Sequence, residues 1–167
     1  MQHNKKLKAL ALLAGALKGT RISMHFEVGV LDSEKLKIEI IGYEREATGE
    51  YYDDNWLSVK VSLSFGGFQG AFGAAFLTKD FHSFLPQLEQ LYKSLKGTIK
   101  FETIEQQLEF TLTGDGKGNI ELAGEAMDEA GPANRLRFYS SFDQTYLPSS
   151  ISQLTKLCGK FPERGAL

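Results

Sequence analysis

The stretch from 42 to 54, GYEREATGEYYDD, gathers five carboxylates, Glu44, Glu46, Glu50, Asp53 and Asp54, around a single Arg45. Two carboxylates held together could act as general acid and general base, provided one is desolvated enough for its pKa to rise. The surrounding residues are polar, so the default reading is a solvated acidic face. Tyr51, Tyr52 and Trp56 stand in or beside the same stretch. Aromatic side chains contribute large contact area at low entropic loss, and beside acidic groups they compose a surface suited to another protein. If the chain is already extended from Tyr52, then Tyr52, Asp54 and Trp56 share the face opposite Leu57 and Val59. The competing reading, slightly favoured by how deeply tryptophan is buried on average, puts Trp56 in the core.

No other stretch carries a stronger chemical signal. Gly114-Asp115-Gly116-Lys117-Gly118 invites comparison with a phosphate-binding loop, but a phosphate cradle needs a strand before it and a helix N-terminus after it. Strand patterns flank this loop on both sides, so it reads as a hairpin turn. GGFQGAFG (66 to 73) fails for the same reason. Asp115 and Asn119 are too sparse for a calcium loop. There is no Gly-x-Ser-x-Gly elbow. His3, His25 and His82 lack metal-ligand spacing, and His82 is expected to face solvent. The lone Cys158 falls on an apolar helical stripe, where a structural thiol is the ordinary reading. These residues point to no enzyme, no metal and no cofactor.

The chain has 167 residues, a formal net charge of -2 and a pI near 5.9, with 12 Phe and 17 Gly. That length suffices for one domain with its own core. The charge argues against nucleic acid as the main partner, because phosphate binding wants a basic surface. A single cysteine excludes an intramolecular disulfide and suits a reducing, cytoplasmic setting.

The elements that must position the acidic stretch follow from periodicity. Residues 1 to 20 form a basic, Leu- and Ala-rich extension, read as a peripheral helix in preference to a signal peptide because Lys8 interrupts its apolar run. The same run is too short to span a bilayer. Ile22, Met24, Phe26, Val28 and Val30 alternate with polar residues as a strand, and Leu36, Ile38 and Ile40 make its hairpin partner. Leu57, Val59, Val61, Leu63 and Phe65 give the cleanest alternation. Gly66-Gly67 turns the chain into a strand bearing Phe68, Phe72 and Phe76 on one face, with Gly70 and Ala74 between them for close packing against another layer. Thr78 is the expected N-cap of an amphipathic helix running to Gly97, kinked or split at Pro86. Strands follow around Ile99, Leu108 to Leu112, Ile120 to Leu122 and Leu136 to Phe142. A last helix after Pro148 buries Ile151, Leu154, Leu157, Cys158 and Phe161.

The pattern predicts an α+β fold: a mainly antiparallel sheet of about eight strands packed with two amphipathic helices, plus the N-terminal helix. The single domain covers 21 to 162, followed by a frayed tail over 163 to 167. The two halves look loosely alike without a repeated motif.

From about Leu36 to Phe161 the chain resembles the WapI family of immunity proteins. The likeness rests on IEIIGYE (38 to 44), DDNWLSVKVSL (53 to 63), FLTKDFHSFLPQLEQLY (76 to 92) and FTLTGDGKGNIEL (110 to 122). It implies a small cytoplasmic bacterial protein that binds a polymorphic toxin domain, often a nuclease, and neutralises it. A basic toxin surface would be steered to an acidic loop with aromatic anchors. On this reading Glu44, Glu46, Glu50, Tyr51, Tyr52, Asp53, Asp54 and Trp56 are the candidate toxin contacts. The protein would be a monomer or weak homodimer, away from membranes. The rival reading is a small-molecule module with a Phe-lined hollow between sheet and helices.

Overall fold

The computed structural model describes residues 24–30 and 33–165. The helix expected over 1 to 20 lies outside them. The elements run β1 (Met24–Gly29), β2 (Lys35–Tyr43), α1 (Tyr51–Asp54), β3 (Trp56–Phe65), β4 (Phe68–Leu77), α2 (Thr78–Ser94), β5 (Lys96–Glu102), β6 (Leu108–Asp115), β7 (Asn119–Met127), β8 (Arg135–Asp143), a 3-10 turn (Gln144–Tyr146) and α3 (Leu147–Lys160). The eight strands are antiparallel, but they make two sheets rather than one, ordered β1-β2-β3-β4 and β5-β6-β7-β8. The break falls where α2 intervenes. Successive strands joined by tight turns pair with each other, while a helix of this length carries the chain off the first sheet before β5 begins.

Alternation then dictates the packing. Leu36, Ile38 and Ile40 on β2, and Leu57, Val59, Val61, Leu63 and Phe65 on β3, are buried on one face. Phe110 and Leu112 on β6 and Ile120 and Leu122 on β7 do the same in the second sheet. These faces and the apolar stripes of α2 and α3 join in one core. Its centre is aromatic. The Phe101 ring of β5 meets Phe76 of β4 at 6.2 Å, Phe81 and Phe84 of α2 at 5.7 and 5.4 Å, and Phe110 of β6 at 5.1 Å. Phe65 and Phe138 stack at 4.8 Å and tie β3 to β8. The Phe-lined hollow of the small-molecule reading is therefore filled by rings among the described residues.

Local expectations were met unevenly. Gly66 adopts φ 58 in the tight turn, as that pair required. Helix α2 is continuous from Thr78 to Ser94 and is not split at Pro86. It ends earlier than Gly97, with Leu95 at φ 56 donating its N–H to the Leu91 carbonyl at 2.7 Å. Its cap position is Leu77 rather than Thr78, and Asp80 reaches back to accept the Leu77 N–H at 3.0 Å. The layer expected against Gly70 is absent among the described residues: a Cβ built there would meet nothing within 4 Å. β4 is an edge strand, and Phe68 at its start is 70% exposed.

Two measurements test this packing. Phe101→Ala removes a ring shared by both sheets and α2, and should lower unfolding free energy by about 3–5 kcal/mol in denaturant titration. Burial raises the Asp80 carboxyl to about 6. A folded-state pKa above the unfolded one means that ionised Asp80 opposes folding. The contribution of Asp80 to stability, read as the difference between wild type and Asp80→Asn, should therefore rise by about 1 kcal/mol, after discounting for residual solvent, as pH falls from above 6 to below 4, against the opposite trend of depressed carboxylates such as Asp54. pH-dependent melts of the two proteins measure it; a difference that does not change with pH would overturn the assignment.

Candidate functional site

The acidic loop leaves β2 at Tyr43 and returns to β3 at Trp56, where the Glu44 N–H meets the Trp56 carbonyl at 3.0 Å. Residues 51 to 54 are not extended. They form the single helical turn α1, closed by the Asp54 N–H on the Glu50 carbonyl at 2.9 Å. This corrects the shared face expected of Tyr52, Asp54 and Trp56. A helical turn rotates successive side chains by about 100°, so the three diverge. Tyr52 is 71% exposed, Asp54 is 1% exposed, and Trp56 is half-buried.

Asp54 is thus an internal brace and not a surface contact. Its Oδ2 accepts the N–H groups of Thr48 at 2.8 Å and Gly49 at 2.7 Å, and its Oδ1 accepts the Thr48 hydroxyl at 2.9 Å. These bonds, led by the Thr48 N–H, hold the carboxyl below the usual carboxylate range. A depressed carboxylate stabilises the fold above its unfolded pKa and loses that contribution as acid protonates it. Asp54 is therefore unsuited to be a proton-sharing acid.

Asn55, 2% exposed, was not singled out by sequence, yet it joins three segments. Its Nδ2 donates to the carbonyls of Tyr51 at 2.6 Å and Arg164 at 2.9 Å. Its Oδ1 accepts the Thr78 hydroxyl at 3.1 Å and the Arg164 N–H at 2.7 Å. Its own carbonyl accepts the Thr78 N–H at 2.9 Å. The start of α2 and the C-terminal segment are thereby fixed to the base of the loop.

The segment expected to fray is held at 163 and 164. The Arg164 guanidinium lies 3.2 Å over the Tyr43 ring and donates to the Arg45 carbonyl at 3.1 Å. Tyr51 donates its hydroxyl to Glu163, and Tyr43 donates to the Pro162 carbonyl. His82, expected in solvent, is half-buried with its Nε2 3.0 Å from the Phe161 carbonyl. Cys158 is buried as its stripe required, and burial pushes its thiol up to about 11.

The outer surface of this assembly carries Glu44, Glu46, Glu50, Tyr52 and Asp53, all exposed, with Tyr51 partly so. Asp53 pairs with Arg45 at 3.1 Å. Tyr51 and Tyr52 meet edge to face at 5.4 Å. Among the described residues no group of three or more His, Cys, Asp or Glu is placed to hold a metal ion. Among them, too, no helix is long and apolar enough to cross a membrane. What the arrangement offers chemically is a fixed acidic and aromatic relief.

Two four-stranded antiparallel sheets packed with helices place the described residues in the α+β class. The family model described as "Immunity protein WapI-like family" matches residues 29–162, and the chain belongs to that family. No curated protein matches its sequence. A solved structure described as "Crystal structures of trypanosoma bruciei MRP1/MRP2" is similar with a TM-score of 0.46 at 12% identity, over 91% of this chain and 95% of that one.

Asn55→Ala would leave the Arg164 N–H and the Thr78 hydroxyl without their acceptor. Unfolding free energy should fall by about 2–3 kcal/mol, and amide exchange at Arg164 should accelerate. Unchanged protection at Arg164 would show that the tail is held by other means.

Proposed function

We propose that this chain is an immunity protein that binds the toxin domain encoded beside it and neutralises it by non-covalent occlusion. The family supports toxin immunity. The observation that carries the site is the rigid presentation of the loop. Glu44, Glu46, Glu50, Asp53 and Tyr52 stand exposed on a scaffold braced from beneath by buried Asp54 and Asn55. A surface ordered before binding loses little conformational entropy on association. Tyr51 and Trp56 flank it, half-buried, and complete the aromatic part of the contact.

The exposed carboxylates favour a basic partner. A nuclease domain carries a basic surface for its polyanionic substrate, and exposed carboxylates attract that surface at long range. The carboxylates set the encounter rate, and Tyr52 is the anchor that slows release. The protein acts by covering the toxin and performs no chemistry of its own, inside the cell that makes it.

The test is association kinetics with the purified toxin domain. Alanine at Glu44, Glu46, Glu50 and Asp53 together should slow association by about 10- to 100-fold at low salt and flatten its salt dependence. Tyr52→Ala should instead speed dissociation. Both rates unchanged would place the contact elsewhere on the molecule.

A further inference from the structure

Among the described residues there are four sheet edges, and three are guarded. At β1, α3 turns side chains onto the strand: the Ser150 hydroxyl donates to the Glu27 carbonyl at 2.6 Å, and Gln153 accepts the Glu27 N–H at 2.9 Å. At β5, α2 packs alongside, and the strand carries Lys96, Lys100 and Glu102. At β8, Arg135, Arg137 and Asp143 are exposed along the strand. Charges and covering elements of this kind are how edge strands avoid pairing with other chains. β4 has neither. Its sequence FQGAFGAAFL holds no charge and no proline. Among the described residues nothing pairs with its outer side, and residues 68 to 71 and 73 are exposed.

Beneath this edge the two sheets part in a cleft of about 270 Å³, lined by Leu63, Gly70, Phe72 and Leu136, with Asn134 and Arg135 at its rim. A strand added to β4 would lay alternate side chains over that cleft. The register with β3 puts Phe68, Gly70, Phe72, Ala74 and Phe76 on the core side of β4. Large and small residues therefore alternate along that side.

We infer that β4 is a self-association edge, pairing antiparallel with the β4 of a second copy across a two-fold axis at Ala71. The sequence is complementary to itself in that register. Phe72 faces Gly70 of the other copy and Phe68 faces its Ala74, so the exposed Phe68 ring and the partly buried Phe72 ring each lie against a small residue. On the opposite side Ala71 meets Ala71 and Gln69 meets Gly73. A shift of the axis by one residue would set Phe72 against Phe72. No charge opposes a like charge at any step, and an isologous contact needs no second complementary surface. The edge lies apart from the acidic loop, so this inference stands independently of the toxin contact.

The axis can be tested by charge at its centre. The full-length protein should sediment as a dimer at roughly 0.1 mM chain. Ala71→Lys and Ala71→Glu each bring a like pair together on the axis, and each should weaken the dimer at least about tenfold. Ala71 is exposed, so both variants should keep the wild-type melting temperature, which confirms that they fold. An equimolar mixture of the two should recover the dimer as a mixed species. A wild-type chain that stays monomeric at roughly 1 mM overturns the inference. So does a dimer indifferent to both variants, or β4 amides that gain exchange protection only when the toxin domain is added.

Discussion

The Phe101 ring is where the structure closes. Each sheet has one apolar face, and neither face can be left in water. The two sheets do not join edge to edge, and α2 lies between β4 and β5 in the chain. Phe101 bridges them by touching β4, α2 and β6 at once. Its position fixes where α2 starts relative to β4. That junction, Leu77 into Thr78, is the point that Asn55 grips from the beginning of β3. The buried Asn55 amide therefore ties the base of the acidic loop to the aromatic core, beside the brace that Asp54 makes within the loop.

Two carboxylates show how the same side chain is put to opposite uses. Asp54 is surrounded by donors from its own loop, and they hold it ionised. Asp80 has one backbone donor and much burial, so it rises to about 6. Each is occupied with local backbone, Asp54 with Thr48 and Gly49, Asp80 with Leu77. A general acid or base must reach a substrate proton. These two instead shape the chain.

Much of the fold was legible because strands and helices write different periods. The alternation at Leu57 to Phe65 located β3 and its buried face, and the Phe81, Phe84, Leu88, Leu91 stripe located α2. What alternation does not encode is which strands pair across a helix, so the division into two sheets was not visible. Nor did it encode that Gly70 would lie at an open edge, since small residues serve packed and bare surfaces alike. At the candidate site the composition marked the loop but not its conformation. YYDD has no apolar stripe to betray a helical turn, so its sequence places Asp54 on the surface although it is the brace. Asn55 was silent because its bonds reach Thr78 and Arg164, residues far along the chain, and a single polar side chain carries no trace of such partners.

The position of the bare edge relative to the loop has a geometric consequence. β3 and β4 form one hairpin, with Trp56 paired to Leu77 at the loop end and Phe65 paired to Phe68 at the turn end. An axis at Ala71 lies six residues from Leu77, which at about 3.3 Å per residue sets it roughly 20 Å from the loop end of the sheet. Antiparallel pairing would send the loop ends of the two copies in opposite directions, about 40 Å apart along the strands. Each acidic face would then remain open, and neither copy would screen the charge of the other across such a span at physiological salt. Self-association through β4 is thus compatible with each copy meeting its own toxin domain, because the proposed pairing edge and the proposed toxin contact sit at different stations of the same hairpin.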